Sequence, residues 1–482
     1  MADCYLVYYY INSFSVASAR MVAATTDTHI LRRKGTQMAQ ALTAQMTLTQ
    51  KIIAKACGRD KVTPGEIVTV SVDLLMGQDA SGPRKWGPRL KELDCKLWDP
   101  DKVVVVSDHY VPAVDTQSAE ILAISRQFAR EYGVKKFFDM QGISHAIMPE
   151  RGLLAPGMFV AGGDSHTPTA GAFGCYAAGF GATDTTAIAI TGETWTTVPE
   201  TIKVQIDGEL AQHVTAKDIM LWLCRELGME NSFKSVEFTG STVAAMSMSE
   251  RLVLSNMAAE LGAEAGIIGV DEVTIEALKK TGGQWEGSEQ WVADEGATYL
   301  KTVTLDVNQL GPQVAAPHAP ENTKCAKEFA GVAVDQCYIG ACVGAKLEDL
   351  QMAASVLRGR KVSSNTRLLI APATVRVTEK AAADGTLAAL TAAGAILLPS
   401  GCGACAGMGA GIVAKGEVCI STTNRNFQGR MGHKDASVYL ASPYTVAASA
   451  ITGLITDPDE LQAPPLAHSH QTHARSPEGA RA

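Results

Sequence analysis

Three cysteines sit where small residues leave room around a thiol. Cys402 and Cys405 form a CxxC pair inside PSGCGACAGMGAG, residues 399–411, and Cys342 lies in YIGACVGAKLEDL, a strand-to-helix turn of the same small-residue character. A CxxC pair by itself serves as a redox dithiol, as half of a zinc site or as part of an iron–sulfur clamp. Three cysteines on such turns, without a convincing fourth, add a more specific option: an iron–sulfur group in which protein thiolates hold three irons and leave one open to substrate. An open iron is a Lewis acid for a hydroxyl or a carboxylate. A structural zinc ion or three buried thiols accounts for the same spacing, so the pattern leaves these readings standing.

Acid–base groups accompany the thiols. Asp108 and His109 in SDHYVPA are adjacent: a carboxylate that orients an imidazole and keeps it charged makes a proton donor, and a surface turn with a capping Asp is the other reading. Asp164, Ser165 and His166 in GGDSHTP, and His145 in GISHAIMPERG, repeat the theme, although a single buried histidine is usually structural. Asn256 and Glu260 in RLVLSNMAAELG are spaced to share one helix face, in a segment that by pattern alone is amphipathic core. Arg425 and Arg430 in NRNFQGR, beside Asn424, offer planar forks for carboxylates.

Short β-rich runs alternate with helical patterns and must position these groups: KVVVVSD then TQSAEILAISRQFAREYG, KKFFDM, MFVAGGD, TIKVQID then AKDIMLWLCRELG. Such alternation predicts an α/β fold with largely parallel sheets, because parallel strands need helical crossovers. Polar chemistry then belongs at the carboxyl ends of strands. Asp108 and His109, Asp164 to His166, and Cys342 all come just after predicted strands. The Gly- and Glu-rich KKTGGQWEGSEQWVADEGATY and the Pro-rich GPQVAAPHAPENTK read as linkers. Three α/β regions are expected, at 46–200, 201–320 and 321–460.

At 482 residues the chain exceeds one ordinary core, and 46% hydrophobic with 19% charged residues and 44 glycines suits a globular enzyme rich in tight turns. A net charge of −8 provides no broad basic surface, so neither nucleic acid nor membrane is an expected partner. Eleven cysteines without a secretory signal imply a reducing compartment and free thiols. The longest apolar runs are strand-sized, short of the roughly 20 residues that span a bilayer. Residues 1–45 read as a poorly ordered extension or an over-long start, with Met38 or Met46 as the true start. A cytoplasmic location is expected, or an organellar matrix if the extension is a transit peptide. Residues 461–482, with His468, His470 and His473, read as a disordered tail.

GGDSHTPTAGAFG (162–174), SDHYVPA (107–113), GISHAIMPERG (142–152), the CxxC loop and STTNRNFQGRMG (421–432) together resemble, in order, the motifs of the aconitase and isopropylmalate isomerase family of hydro-lyases. The likeness covers most of 46–455 and is nearest to the large subunits of the shorter isopropylmalate isomerase and homoaconitase form. It implies three α/β/α domains around one 4Fe-4S cluster per chain, with Cys342, Cys402 and Cys405 as ligands. It also implies a small anionic hydroxy-acid substrate and a separately encoded swivelling-domain small subunit, in a heterodimer or heterotetramer. By the same resemblance Asp108 and His109 protonate the leaving hydroxyl. His145, Asp164 and His166 surround the cluster-bound water, Asn256 and Glu260 stand beside the cluster and its open iron, and Asn424 is near it. Gln78, Ser165, Arg425 and Arg430 hold substrate carboxylates.

The chemistry implied is loss of water from a di- or tricarboxylic hydroxy acid and its return in the other sense. Isopropylmalate is the leading substrate, with homoaconitate or a methyl-substituted malate as alternatives. A cluster-free RNA-binding relative and a zinc-stabilised binding module are the readings from other classes. Val343 and Gly344 depart from the threonine-asparagine usual after the first cluster cysteine, Ala341 replaces a common serine, and Gln78 is aconitase-like where the isomerases tend to have histidine.

Overall fold

The computed structural model describes residues 45–461. The expected N-terminal extension up to residue 44, and the tail from 462 with its three histidines, lie outside the described residues. Residues 45–461 pack as one compact unit.

Its first helix, Leu48–Ala56, starts at a Thr47 capping box with Gln50 and stops before Gly58, whose φ of 67° ends the turn. A five-stranded sheet comes next, all parallel, in the spatial order Lys136–Asp139, Val103–Ser107, Leu74–Gln78, Phe159–Gly162, Tyr176–Gly179. Val103 to Val106 are fully buried, as an uninterrupted valine run in a parallel sheet covered on both faces must be. The chain winds outward from Leu74–Gln78 and then returns to its other side at Phe159–Gly162. That reversal opens a crevice beyond the carboxyl ends of the two strands.

A second sheet is again wholly parallel: Ala265–Ile268, Lys234–Thr239, Glu200–Asp207, Lys301–Asp306. The third has seven strands, ordered Thr323–Cys325, Gln313–Ala315, Ser437–Ala441, Val418–Ser421, Gln336–Ile339, Arg367–Ile370, Ile396–Leu397. The last five are parallel and the first two antiparallel. Here the reversal falls between Gln336–Ile339 and Val418–Ser421.

Two readings from the sequence are corrected. The Pro-rich segment is not a linker. Val314 and Ala315 are fully buried, and the prolines are tolerated because these strands lie at one side of the sheet, with Pro312 just before the first. The helix carrying Asn256 ends at that residue, spanning Met248–Asn256. A 3-10 turn, Met257–Ala259, intervenes, and Glu260 comes after it instead of sharing a continuous helix face.

The crevices of the first and third sheets are joined directly. Ile143 N–H donates to Ala373 C=O (2.9 Å), Val375 N–H to Gln141 C=O (3.0 Å), and Cys402 N–H to Asp108 C=O (2.7 Å). The buried 3-10 segment Thr167–Phe173 packs on Ala265–Ile268 of the second sheet. There a Cβ on Gly171 would lie 1.9 Å from Gly266 C=O. Gly171→Ala is therefore expected to destabilise the chain by about 3 kcal/mol in denaturant unfolding, since backbone cannot yield as a flexible side chain does. Wild-type stability in that variant would contradict this packing. Among the described residues no helix is long and apolar enough to cross a membrane.

Candidate functional site

Asp108 and His109, and Asp164 to His166, stand just past strands, where the backbone leaves the sheet, while His145 lies in helix Ser144–Glu150 and Glu260 follows the 3-10 turn Met257–Ala259. Asp108, fully buried after Val103–Ser107, shares a 2.7 Å hydrogen bond through Oδ1 with His109 Nδ1 and accepts Ser144 N–H at Oδ2 (2.7 Å). Gln78 Nε2 donates to Ser144 Oγ (2.8 Å), bringing the end of the adjacent strand into the same network. Burial opposes a charged His109, but Asp108 in contact with it, and Asp164 and Asp79 nearby, outweigh burial and lift its pKa to about 9. His109 is thus an imidazolium at neutral pH.

Asp164 Oδ1 lies 2.7 Å from His145 Nε2 and accepts His166 N–H (2.8 Å). Burial would raise this carboxyl, yet His145 and His166 hold it well below its usual range. His166 Nε2 meets Glu260 Oε1 at 2.9 Å, and Glu260 with Asp164 overcomes burial to lift His166 to about 9. Glu260 Oε1 also accepts Arg425 Nε (2.7 Å), and Arg425 Nη1 donates to Ser165 Oγ (3.0 Å). Asn256 Nδ2 donates to Thr169 Oγ1 (2.7 Å) and lies 3.1 Å from Cys342 Sγ. Asn424 Oδ1 is 3.8 Å from both Cys342 Sγ and Cys405 Sγ.

The thiols come from the third sheet. Cys342 lies past Gln336–Ile339 on a turn whose Ala341 has φ 69°, and Cys402 and Cys405 belong to the loop after Ile396–Leu397. A hydrogen bond between the free thiols of Cys402 and Cys405 divides them: Cys405 is drawn down, with Arg430 and His166 assisting, and Cys402 is pushed up. Burial and the neighbouring Cys405 raise Cys342 to about 12.

The predicted residues therefore converge, through contacts across the joined crevices. Arg430 is the loosest member; it acts on Cys405 through its charge, and its Nε is buried without a partner. Four residues escaped the sequence reading. Asp79, fully buried, accepts the amides of His109 (3.1 Å) and Tyr110 (2.9 Å), and its place beside Gln78 at a strand end was the available signal. Ser144 had no signal. Tyr338, inside a strand, reads as core, yet its hydroxyl is buried without a partner. Lys217 reads as a solvated first-turn lysine but is 2% exposed.

An Asp–His pair, a second cluster of histidines and carboxylates, a guanidinium and three thiols share one cleft between largely parallel sheets, an inventory that suits a hydro-lyase. The chain belongs to the aconitase family: residues 50–330 and 322–453 match the aconitase family (aconitate hydratase). It is 44% identical over 415 residues to "3-isopropylmalate dehydratase large subunit 1" of Methanopyrus kandleri, covering 86% of this chain and 98% of that one. It is 43% identical over 425 residues to "3-isopropylmalate dehydratase large subunit" of Acetivibrio thermocellus, covering 86% and 100%. The "Methanogen homoaconitase large subunit" of Methanocaldococcus jannaschii is 42% identical over 421 residues, with 86% and 99% covered.

Proposed function

We propose that this chain is the large subunit of a 3-isopropylmalate dehydratase, which isomerises 2- and 3-isopropylmalate by removing and returning water. The observation that carries the reading is the Cys402 amide bonded to the Asp108 carbonyl at 2.7 Å, which ties the CxxC loop to the proton-donating pair. The same reading assigns the chain three α/β regions, 46–200, 201–320 and 321–460.

The residues present fit a 4Fe-4S cluster held by Cys342, Cys402 and Cys405. Tyr338 Oη and Arg430 Nε, beside the CxxC thiols, and His145 Nδ1 and Glu260 Oε2, in the network of Asp164 and His166, are buried without hydrogen-bond partners, as polar groups that face a ligand would be. Among the described residues, the sets of three His, Cys, Asp or Glu ligand atoms within 4.8 Å of one another are His145, Asp164, His166 and Asp79, Asp108, His109. The three thiols do not form such a set, which favours a wide group over a single zinc ion. Bound there, the cluster would supply a Lewis-acidic iron to the substrate hydroxyl.

The protein's own groups then have defined tasks. With Nδ1 engaged by Asp108, His109 donates from Nε2 to the departing hydroxyl. Asp79 and Asp108 fix the ring between them. Ser165 and Arg425 bind a substrate carboxylate, with Arg425 oriented by Glu260, while Gln78 and Arg430 flank the cleft. His145, Asp164 and His166 order the leaving water, and Asn256 and Asn424 brace Cys342 and Cys405.

A base for the carbon-bound proton is assigned to a separate small subunit, in a heterodimer or heterotetramer. This is supported by relatives named large subunits that are covered over 98% and 100% of their length. Cluster-loaded chain alone is expected to be at least about 10³-fold less active than with that partner, because positioning supplies much of the rate. Assays on 2-isopropylmalate, homocitrate and methyl-substituted malates, with and without the partner, test this. Full activity of the isolated chain would overturn the two-subunit reading, and preference for homocitrate would favour homoaconitase.

A further inference from the structure

Lys217 stands in the first turn of helix Ala216–Leu227, in the layer of the second sheet, and its side chain is buried. Among the described residues no carboxylate pairs with it. Its ammonium donates instead to Thr423 C=O (2.6 Å) and Thr422 C=O (3.4 Å) of the third sheet's reversal loop. Thr422 Oγ1 in turn accepts Gly340 N–H (2.9 Å), bracing the turn that presents Cys342. The next two residues are Asn424, beside Cys342 and Cys405, and Arg425, on Glu260 and Ser165.

An ammonium buried without a counter-charge is costly and is retained only where something nearby compensates it. Burial draws its pKa down to about 8, against the opposing pull of Glu260 first and then of Cys224, Cys405 and Cys342. We propose that Lys217 is a positioning residue of the site: it pins the carbonyls of Thr422 and Thr423 so that Asn424 and Arg425 are held against the thiols and Glu260, and its charge offsets the negative charge gathered there. The pinning is independent of any bound group, whereas the charge effect rests on the iron–sulfur reading above.

Two measurements separate these halves. In the metal-free chain, hydrogen–deuterium exchange of the peptide spanning 422–426 is expected to rise about tenfold in Lys217→Met, because two buried carbonyls lose their donor, and to stay near wild type in Lys217→Arg. In the cluster-loaded chain, redox titration is expected to give a more negative midpoint potential for Lys217→Met and an unchanged one for Lys217→Arg, since removing a cation disfavours the reduced state. If Lys217→Met does not fold, Lys217→Gln takes its place, a neutral donor that should keep exchange slow yet shift the potential. Exchange at the wild-type rate in the methionine variant, or a tenfold rise in the glutamine variant despite its donor, overturns the pinning. An unchanged potential in the neutral variant overturns the charge effect. If the wild-type chain takes up no cluster, the proposed function fails while the exchange arm still judges Lys217.

Discussion

Cys342→Ser is expected to abolish the brown iron–sulfur chromophore and, with it, all dehydratase turnover. Cys402→Ser and Cys405→Ser should do the same. A serine hydroxyl does not ionise in the physiological range, so each substitution removes one of three anionic attachments. Two of the three thiols have polar partners suited to a thiolate: Asn256 Nδ2 lies 3.1 Å from Cys342 Sγ and opposes the burial that raises it, and Arg430 with His166 favours the charged form of Cys405. Four other cysteines are buried within the hydrophobic cores. Cys175 and Cys419 are lifted to about 12 chiefly by burial, and Cys224 and Cys337 are lifted for the same reason. Replacing any of these four with alanine should leave cluster occupancy near wild type. Iron and sulfide analysis with visible absorbance after anaerobic reconstitution reads both outcomes. A Cys342→Ser chain with wild-type absorbance would show the three-thiol assignment to be wrong.

His109→Ala is expected to lower turnover on the order of 10² to 10⁴ while leaving the cluster in place, as loss of a general acid does. The substitution removes the donor and not a ligand, so absorbance is the control. The pH profile carries a sharper consequence. His109 is raised from 6.5 to about 9, so the acid is fully protonated at neutral pH, and kcat/KM should fall only as pH rises through about 9. Burial by itself would have lowered that pKa, and the Asp108 carboxylate is the largest of the effects that reverse it. Asp108→Asn should therefore move the alkaline limb toward neutrality, leaving the imidazole orientable but no longer charge-stabilised. An alkaline limb that stays near 9 in Asp108→Asn would remove His109 from the role of acid. Wild-type turnover in His109→Ala would do so more directly.

Much of this was legible in the residues because of one physical regularity. Strands buried on both faces read as apolar runs, and the residues just past their carboxyl ends are free to be polar, so Val103–Ser107 announces Asp108 and His109. Phe159–Gly162 likewise announces Asp164 to His166, and Gln336–Ile339 announces Cys342. The α/β class came from the same alternation. Local reading failed where long-range pairing decided the conformation. Residues 313–315 and 323–325 look like a Pro-rich linker but are strands, because Ser437–Ala441 supplies the partner edge. The helix through Asn256 looked continuous, yet it tightens to a 3-10 turn before Glu260, which meets both His166 and Arg425.

The sequence by itself determined the chemical inventory, its placement after strands and the kinship of its ordered motifs. Tertiary structure alone decided which of these groups share a proton or a charge. Asp79 holds the His109 loop, Asp108 meets the CxxC loop through a backbone carbonyl, and Lys217 reaches across layers to Thr422 and Thr423. A hydrogen bond or a pKa depends on distances of a few ångströms between segments far apart in the chain. Spacing along a sequence records only local periodicity, so the types of residue could be read there, while their partners emerge when the first and third sheets bring their reversal points together.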